Sequence, residues 1–122
     1  MTMHSDIAGQ VAYRAGLAAE DCVAQDYARR GYPIAARRWR GSGGEIDLVA
    51  RDGAGLIFVE VKKSRSFDRA AQQLRPAQLR RIQAAAAEFV AGEPNGQLTD
   101  VRVDLAMMDR YGDLRILENV TM

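Results

Sequence analysis

Asp47, Glu60 and Lys62 are the residues whose types and spacing point to chemistry. Glu45 to Arg51 alternates as a strand, with Ile46 and Leu48 expected on one face and Glu45 and Asp47 on the other. Asp52-Gly53-Ala54-Gly55 reads as a hairpin connection. Leu56 to Lys62 is the strongest strand pattern in the chain. Leu56, Phe58, Glu60 and Lys62 share one face; Ile57, Val59 and Val61 share the other. If Arg51 and Leu56 close the loop, Asp47 lies across from Glu60, and Glu45 across from Lys62. Like charges directly opposite destabilise a sheet, and paired carboxylates raise each other's pKa unless a cation sits between them. Two carboxylates, the Val61 carbonyl and water form the oxygen ligand set of magnesium, with manganese an alternative. Beside such an ion, a lysine can orient a water or stabilise charge on a phosphate. The corresponding chemistry is metal-assisted phosphodiester hydrolysis.

The choice of cation sharpens this reading. Lys62 and Lys63 are the only lysines among 17 basic residues; the rest are arginines. Lysine shifts its pKa when desolvated, whereas arginine stays charged. The bland alternative is an ordinary Glu60–Lys62 pair on a wet sheet face, because acid-x-lysine triplets are common.

The elements that must position these residues follow from periodicity and turn chemistry. Ile7, Val11, Ala15, Ala18, Ala19, Cys22 and Val23 recur at helical spacing, with Tyr27 beside them. Gly9 and Gly16 weaken the amino half, so the firm helix is expected from about Gly16. Gly31 and Pro33 end it. Residues 1–8 are expected to be a flexible segment. Ile34 to Arg40 reads as a short arginine-rich strand, followed by the flexible turn Gly41-Ser42-Gly43-Gly44. Ser64 to Gln73 is ambiguous and partly helical. Pro76 opens a helix that stops near Gly92 and Pro94. Val101 to Met107 and Leu114 to Leu117 complete the strands. The order α-β-β-β-α-β-β predicts a single α/β domain with a mixed central sheet flanked by helices.

Composition narrows the function classes. At 122 residues the chain is long enough for one domain with a real core. One cysteine excludes an internal disulfide framework and, with the polar amino end, suggests a cytoplasmic setting. No apolar run approaches membrane-spanning length. The single histidine, His4, excludes histidine-based nuclease sites and histidine metal clusters. Ser42 lies in a glycine-rich turn but lacks the lysine and helix of a phosphate loop. Cys22 falls on the apolar stripe and reads as core. Net charge is only +1, but the cations cluster over Arg29 to Arg40 and Lys62 to Arg81. Such clustering suits a polyanion such as DNA or, equally, a solvated surface. Trp39 and Tyr32 are open to base stacking or to packing.

Gly44-Glu45-Ile46-Asp47-Leu48-Val49, followed by Phe58-Val59-Glu60-Val61-Lys62, resembles the signature of the YraN-like family. This is a largely uncharacterised group of small bacterial proteins within the PD-(D/E)xK superfamily. That superfamily includes restriction endonucleases and archaeal Holliday-junction resolvases. The resemblance spans nearly the whole chain and includes Gly16 to Glu20, Gly31-Tyr32, Trp39-Arg40, Arg102-Val103-Asp104 and Glu118-Asn119. It implies a restriction-endonuclease-like fold and a magnesium-dependent endonuclease acting on DNA, with branched or damaged DNA as candidate substrates. It assigns Asp47 and Glu60 as metal carboxylates, Lys62 as the catalytic lysine and Glu20 as an accessory acid. Arg37, Arg38, Arg40, Lys63, Arg65 and Gln78 are the expected nucleic-acid contacts. The chain departs from the family pattern in carrying Gln78 where a lysine is frequent, and in placing Arg65 slightly late. Glu45 is ranked below Asp47, as a strand-end partner, and Asp104 is expected to be structural, paired with an arginine. Cutting both strands often requires a dimer, so a homodimer is a further expectation. The competing reading is a non-catalytic nucleic-acid-binding module on the same scaffold.

Overall fold

The computed structural model describes residues 2–120, with side chains described at residues 10, 14 and 16–120. The elements are α1 (Thr2–Arg29), β1 (Ile34–Arg40), β2 (Glu45–Asp52), β3 (Gly55–Lys63), α2 (Phe67–Gln72), α3 (Pro76–Ala91), β4 (Val101–Met108) and β5 (Leu114–Leu117). One short 3-10 turn, Gly96–Leu98, precedes β4. The strands lie in the order β1-β2-β3-β4-β5. Only β3 and β4 run parallel, with α2 and α3 forming the crossover between them. The predicted mixed α/β sheet flanked by helices is therefore the observed fold, and its layout is consistent with a restriction-endonuclease-like domain.

Each helix ends for a local reason. α1 stops at Gly31, whose φ of 92° suits the glycine at a helix C-terminus, and the Tyr32 amide closes back on the Tyr27 carbonyl at 2.9 Å. Ser66 caps α2 by accepting from the Arg69 amide at 3.2 Å. Pro76 occupies the first turn of α3, where its missing N–H costs nothing. The helix over α1 starts at Thr2, well before Gly16. A helical glycine costs only about 1 kcal/mol, so the glycines weaken this segment without breaking it. The flexible segment expected over residues 1–8 falls where side chains lie outside the described set.

Two apolar layers sandwich the sheet. Val23, Ala24 and Tyr27 of α1 pack on Leu48, Ala50, Ile57, Val59 and Ala106. On the opposite face Ile82, Ala85, Ala86 and Val90 of α3 cover Ile46, Val49, Leu56, Phe58 and Val103. Ala70 of α2 extends that face over Leu105 and Met107. Cys22 is exposed, contrary to the expectation that it belongs to the core. The inward stripe is Ala19, Val23 and Tyr27 at four-residue spacing, and Cys22 sits well round the helix from it. Trp39 packs edge-on against Phe89, their ring centroids 5.3 Å apart. Tyr32 lies beneath the guanidinium groups of Arg30 and Arg102.

The hairpin register matches the expectation from Leu48↔Val59 to Asp52↔Gly55, with Arg51 opposite Leu56. The facing of β2 does not match it. Ile46 packs on the α3 side whereas Leu48 packs on the α1 side. Likewise Ala36 and Trp39 both pack on the α3 side, although they are three positions apart. The alternation therefore breaks once in each strand. The break falls at Arg38 and Asp47, the pair missing from the run Ala36↔Val49 to Arg40↔Glu45; a separate register shift lies between Ile34 and Ala36. Arg38 has a φ of 50°, rare for a residue with a side chain, and this local reversal switches the face presented by both strands.

Candidate active site

Beyond Leu48↔Val59 the β2–β3 ladder stops. There the Asp47 carboxylate takes over from the backbone, its Oδ2 accepting from the Val61 amide at 2.8 Å. One carboxylate is thus pinned to the partner strand beside the other. Glu60 follows Leu56 and Phe58 on the same face of β3 and is only 5% exposed. Asp47 and Glu60 line one cavity of about 590 Å³ with Gly44, Glu45, Arg75, Gln78 and Arg81. The carboxylates come from the sheet wall; Arg75, Gln78 and Arg81 come from the α3 wall.

The electrostatics of this corner are unusual. The Glu60 carboxyl is pushed up to about 9. Burial is the largest cause, followed by a hydrogen bond to Asp47, then the Asp47 charge; Lys62 opposes the shift and Glu20 adds to it. Lys62 Nζ stands 3.8 Å from Glu60 Oε1, close enough to attract but too far for a tight hydrogen bond. The crowded carboxyl groups, with their hard oxygen donors, suit a small divalent cation that would favour the ionised form of Glu60. Asp47, Glu60 and the Val61 carbonyl would be its protein ligands. Among the described residues no three acidic, histidine or cysteine side chains converge on one point, so water would complete the set.

The remaining expected residues divide by location. Glu20 is 8% exposed, on the inward side of α1, near enough to Glu60 to raise its pKa. Arg38 holds it, with Nε 3.1 Å from one oxygen and Nη2 3.4 Å from the other. Arg37 pairs with Asp21, and Arg40 with Glu45 at 3.1 Å. Glu45 therefore pairs with Arg40, not with Lys62. Lys63 ends β3 and Arg65 follows it, both exposed, and Gln78 lines the same cavity as the carboxylates.

Sequence reasoning did not single out Arg75 and Arg81. The signal was present: Arg75, Gln78 and Arg81 recur every three residues, which places them along one side of α3. It also missed how the α3 wall is held. Glu88 of α3 grips the β1–β2 turn, accepting from the Ser42 amide at 2.7 Å and from the Ser42 hydroxyl. These donors hold the Glu88 carboxyl below its ordinary pKa. Gly43 comes so close to α3 that a Cβ there would lie 2.9 Å from the Ala84 Cβ.

Asp104, expected to be structural, is fully buried and saturated with donors. It accepts from the Tyr27 hydroxyl at 2.6 Å, from Arg102 Nε at 3.1 Å and from the Asn119 amide at 3.0 Å. Arg102 also pairs with Glu118 at 2.8 Å. Burial and the negative Asp104 keep the Tyr27 phenol protonated.

Fold and corner together define a small α/β domain with a mixed sheet and a carboxylate pair where its central hairpin opens. A sequence profile of the uncharacterised protein family UPF0102 matches residues 19–108. A UPF0102 protein of Cereibacter sphaeroides (strain ATCC 17029) is 56% identical over 113 residues, covering 93% of this chain and 97% of its own. One from Ruegeria pomeroyi is 58% identical over 105 residues, covering 86% and 85%. Another, from Ruegeria sp. (strain TM1040), is 44% identical over 119 residues, covering 98% and 96%. The chain belongs to the UPF0102, or YraN-like, family. Among the described residues no helix is long and apolar enough to cross a membrane.

Proposed function

We propose that this protein is a magnesium-dependent nuclease that hydrolyses phosphodiester bonds in DNA. The observation that carries the reading is the meeting of Asp47 and Glu60 in one cavity, with Lys62 beside Glu60 and Gln78 opposite. A divalent ion held there supplies Lewis-acid activation of the phosphate. Asp47 and Glu60 position it, and the Asp47–Val61 hydrogen bond keeps the two strands at a fixed separation. The Lys62 ammonium orients the attacking water and offsets charge that builds on the phosphate. Glu20 acts as an accessory acid behind Glu60. The Gln78 amide donates to a phosphate oxygen in the place where relatives of the resembling superfamily use a lysine or glutamine.

The test is a cleavage assay on linear, single-stranded and branched DNA with magnesium or manganese. Wild-type protein cleaves at least one substrate; Asp47→Ala and Lys62→Ala do not. Cleavage that survives both substitutions removes the site assignment. Binding without cleavage by wild-type protein transfers support to the non-catalytic nucleic-acid-binding module.

A further inference from the structure

We propose that Arg75, the residue that leads into α3, and Arg81 of α3 are the residues that hold the nucleic-acid phosphates in the cavity, pressing the backbone against the carboxylate pair. This rests on the nuclease reading above and names the part of the site that binds the polyanion.

Three observations carry it. First, both arginines line the same cavity as Asp47 and Glu60, with Gln78 one turn from each. The cavity, about 590 Å³, falls within the size range of sites that enclose a ligand. Second, the arginines of β1 are already committed, and the exposed Lys63 and Arg65 do not line the cavity. Arg37 pairs with Asp21, Arg38 with Glu20, and Arg40 with Glu45. Among the described residues neither Arg75 nor Arg81 forms an ion pair, although three carboxylates share their cavity. The hydrogen bond given for the Arg81 guanidinium is a long one, 3.4 Å, to the Ala77 carbonyl of its own helix. Third, the wall that carries them is fixed. The Ser42–Glu88 hydrogen bonds and the close Gly43–Ala84 approach hold α3 against the β1–β2 turn that ends at Asp47's strand.

The arrangement has one chemical meaning. Cations on the helix wall face anions on the sheet wall without neutralising them. A phosphodiester meets the guanidinium groups on one side and, through a divalent ion, the carboxylates on the other. Guanidinium suits this task because its planar fork bonds two phosphate oxygens at once and does not lose its proton.

The experiment uses full-length protein carrying Lys62→Ala as a non-cleaving parent, and a fluorescein-labelled branched DNA as the probe. Binding is titrated over a range of salt concentrations. Adding Arg75→Ala and Arg81→Ala weakens binding about tenfold or more and flattens the log–log salt slope by about 1 to 2, one per lost phosphate contact. Adding Arg110→Ala, on the exposed turn after β4, changes neither quantity. Arg81→Lys on the parent retains the slope while losing affinity, because it keeps the charge but not the fork. Unchanged affinity and slope in the double arginine variant overturn the proposal, as does a parent that binds no DNA. The two readings separate in the wild-type background. Cleaving protein whose binding ignores both arginines keeps the nuclease and loses this phosphate wall. Protein that cleaves nothing but needs both arginines to bind keeps the wall and loses the nuclease.

Discussion

The Asp47 carboxylate accepts from the Val61 amide at 2.8 Å, at the point where β2 and β3 stop pairing through their backbones. A side chain thereby does the work of a strand carbonyl, and the same residue serves fold and site.

The two duties separate by substitution. Asp47→Asn retains an oxygen for the Val61 amide, so its stability to urea stays near wild type while calorimetric magnesium binding is lost. Asp47→Ala loses both and is destabilised by about 1–2 kcal/mol. Equal stability of the two variants would show that the hydrogen bond contributes nothing.

Glu60 makes stability depend on pH. Its carboxyl lies at about 9 in the folded protein against an ordinary value of 4.5. Between these values the native state holds more proton than the unfolded chain, so stability falls as pH rises. The favourable contribution is complete below the lower value and gone above the upper one. The slope approaches about 1.4 kcal/mol per pH unit at most. In chelator, wild type loses stability relative to Glu60→Gln from pH 5 to 9 on this reading. Parallel curves for the two proteins would refute it.

Tyr27 and Asp104 join α1 to β4. Tyr27→Phe removes one donor from a buried carboxylate and costs about 1.5–3 kcal/mol. Asp104→Ala strands the buried Tyr27 hydroxyl and leaves Arg102 with Glu118 as its partner, and costs about 2–4 kcal/mol. Chemical denaturation measures both. Tyr27→Phe leaves magnesium affinity unchanged, because Asp104 faces away from the cavity.

Gly43 sets the distance between the turn and α3. In Gly43→Ala the new methyl meets Ala84 at 2.9 Å, so the turn must lift. The expected loss is about 1–3 kcal/mol. Ala84→Gly in the same chain recovers most of it, and a double-mutant cycle by thermal unfolding reads the coupling. Additive losses would place the strain elsewhere.

How much of this was legible in the sequence depended on whether the relevant contact was local. β5 and the Pro76 start of α3 follow their residue patterns, and the Arg51–Leu56 closure fixes the hairpin register because turn and strand signals agree there. The nearness of Asp47 to Glu60 follows from that register. The facing of β2 did not, because the reversal at Arg38 is a tertiary choice for which no glycine gives notice. Cys22 misled because a cysteine among alanines looks apolar, while the inward direction is set by Tyr27 reaching Asp104, 77 residues away. Arg75 and Arg81 lay within a basic stretch open equally to a polyanion or to solvent, and the sheet wall opposite is what sets them apart.

The reversal at Arg38 also bears on how copies of this protein avoid one another. β1 is an outer strand, and an outer strand with a regular run of open amides and carbonyls invites pairing with a second molecule. Here that run is short, is broken by a residue with φ of 50°, and carries Arg37, Arg38 and Arg40 along its length. A second chain approaching in register would meet a twist and three bulky arginine side chains already engaged within this chain. The irregularity that coincides with the change of face at Asp47 thus also makes β1 a poor template for edge-to-edge pairing with a second chain.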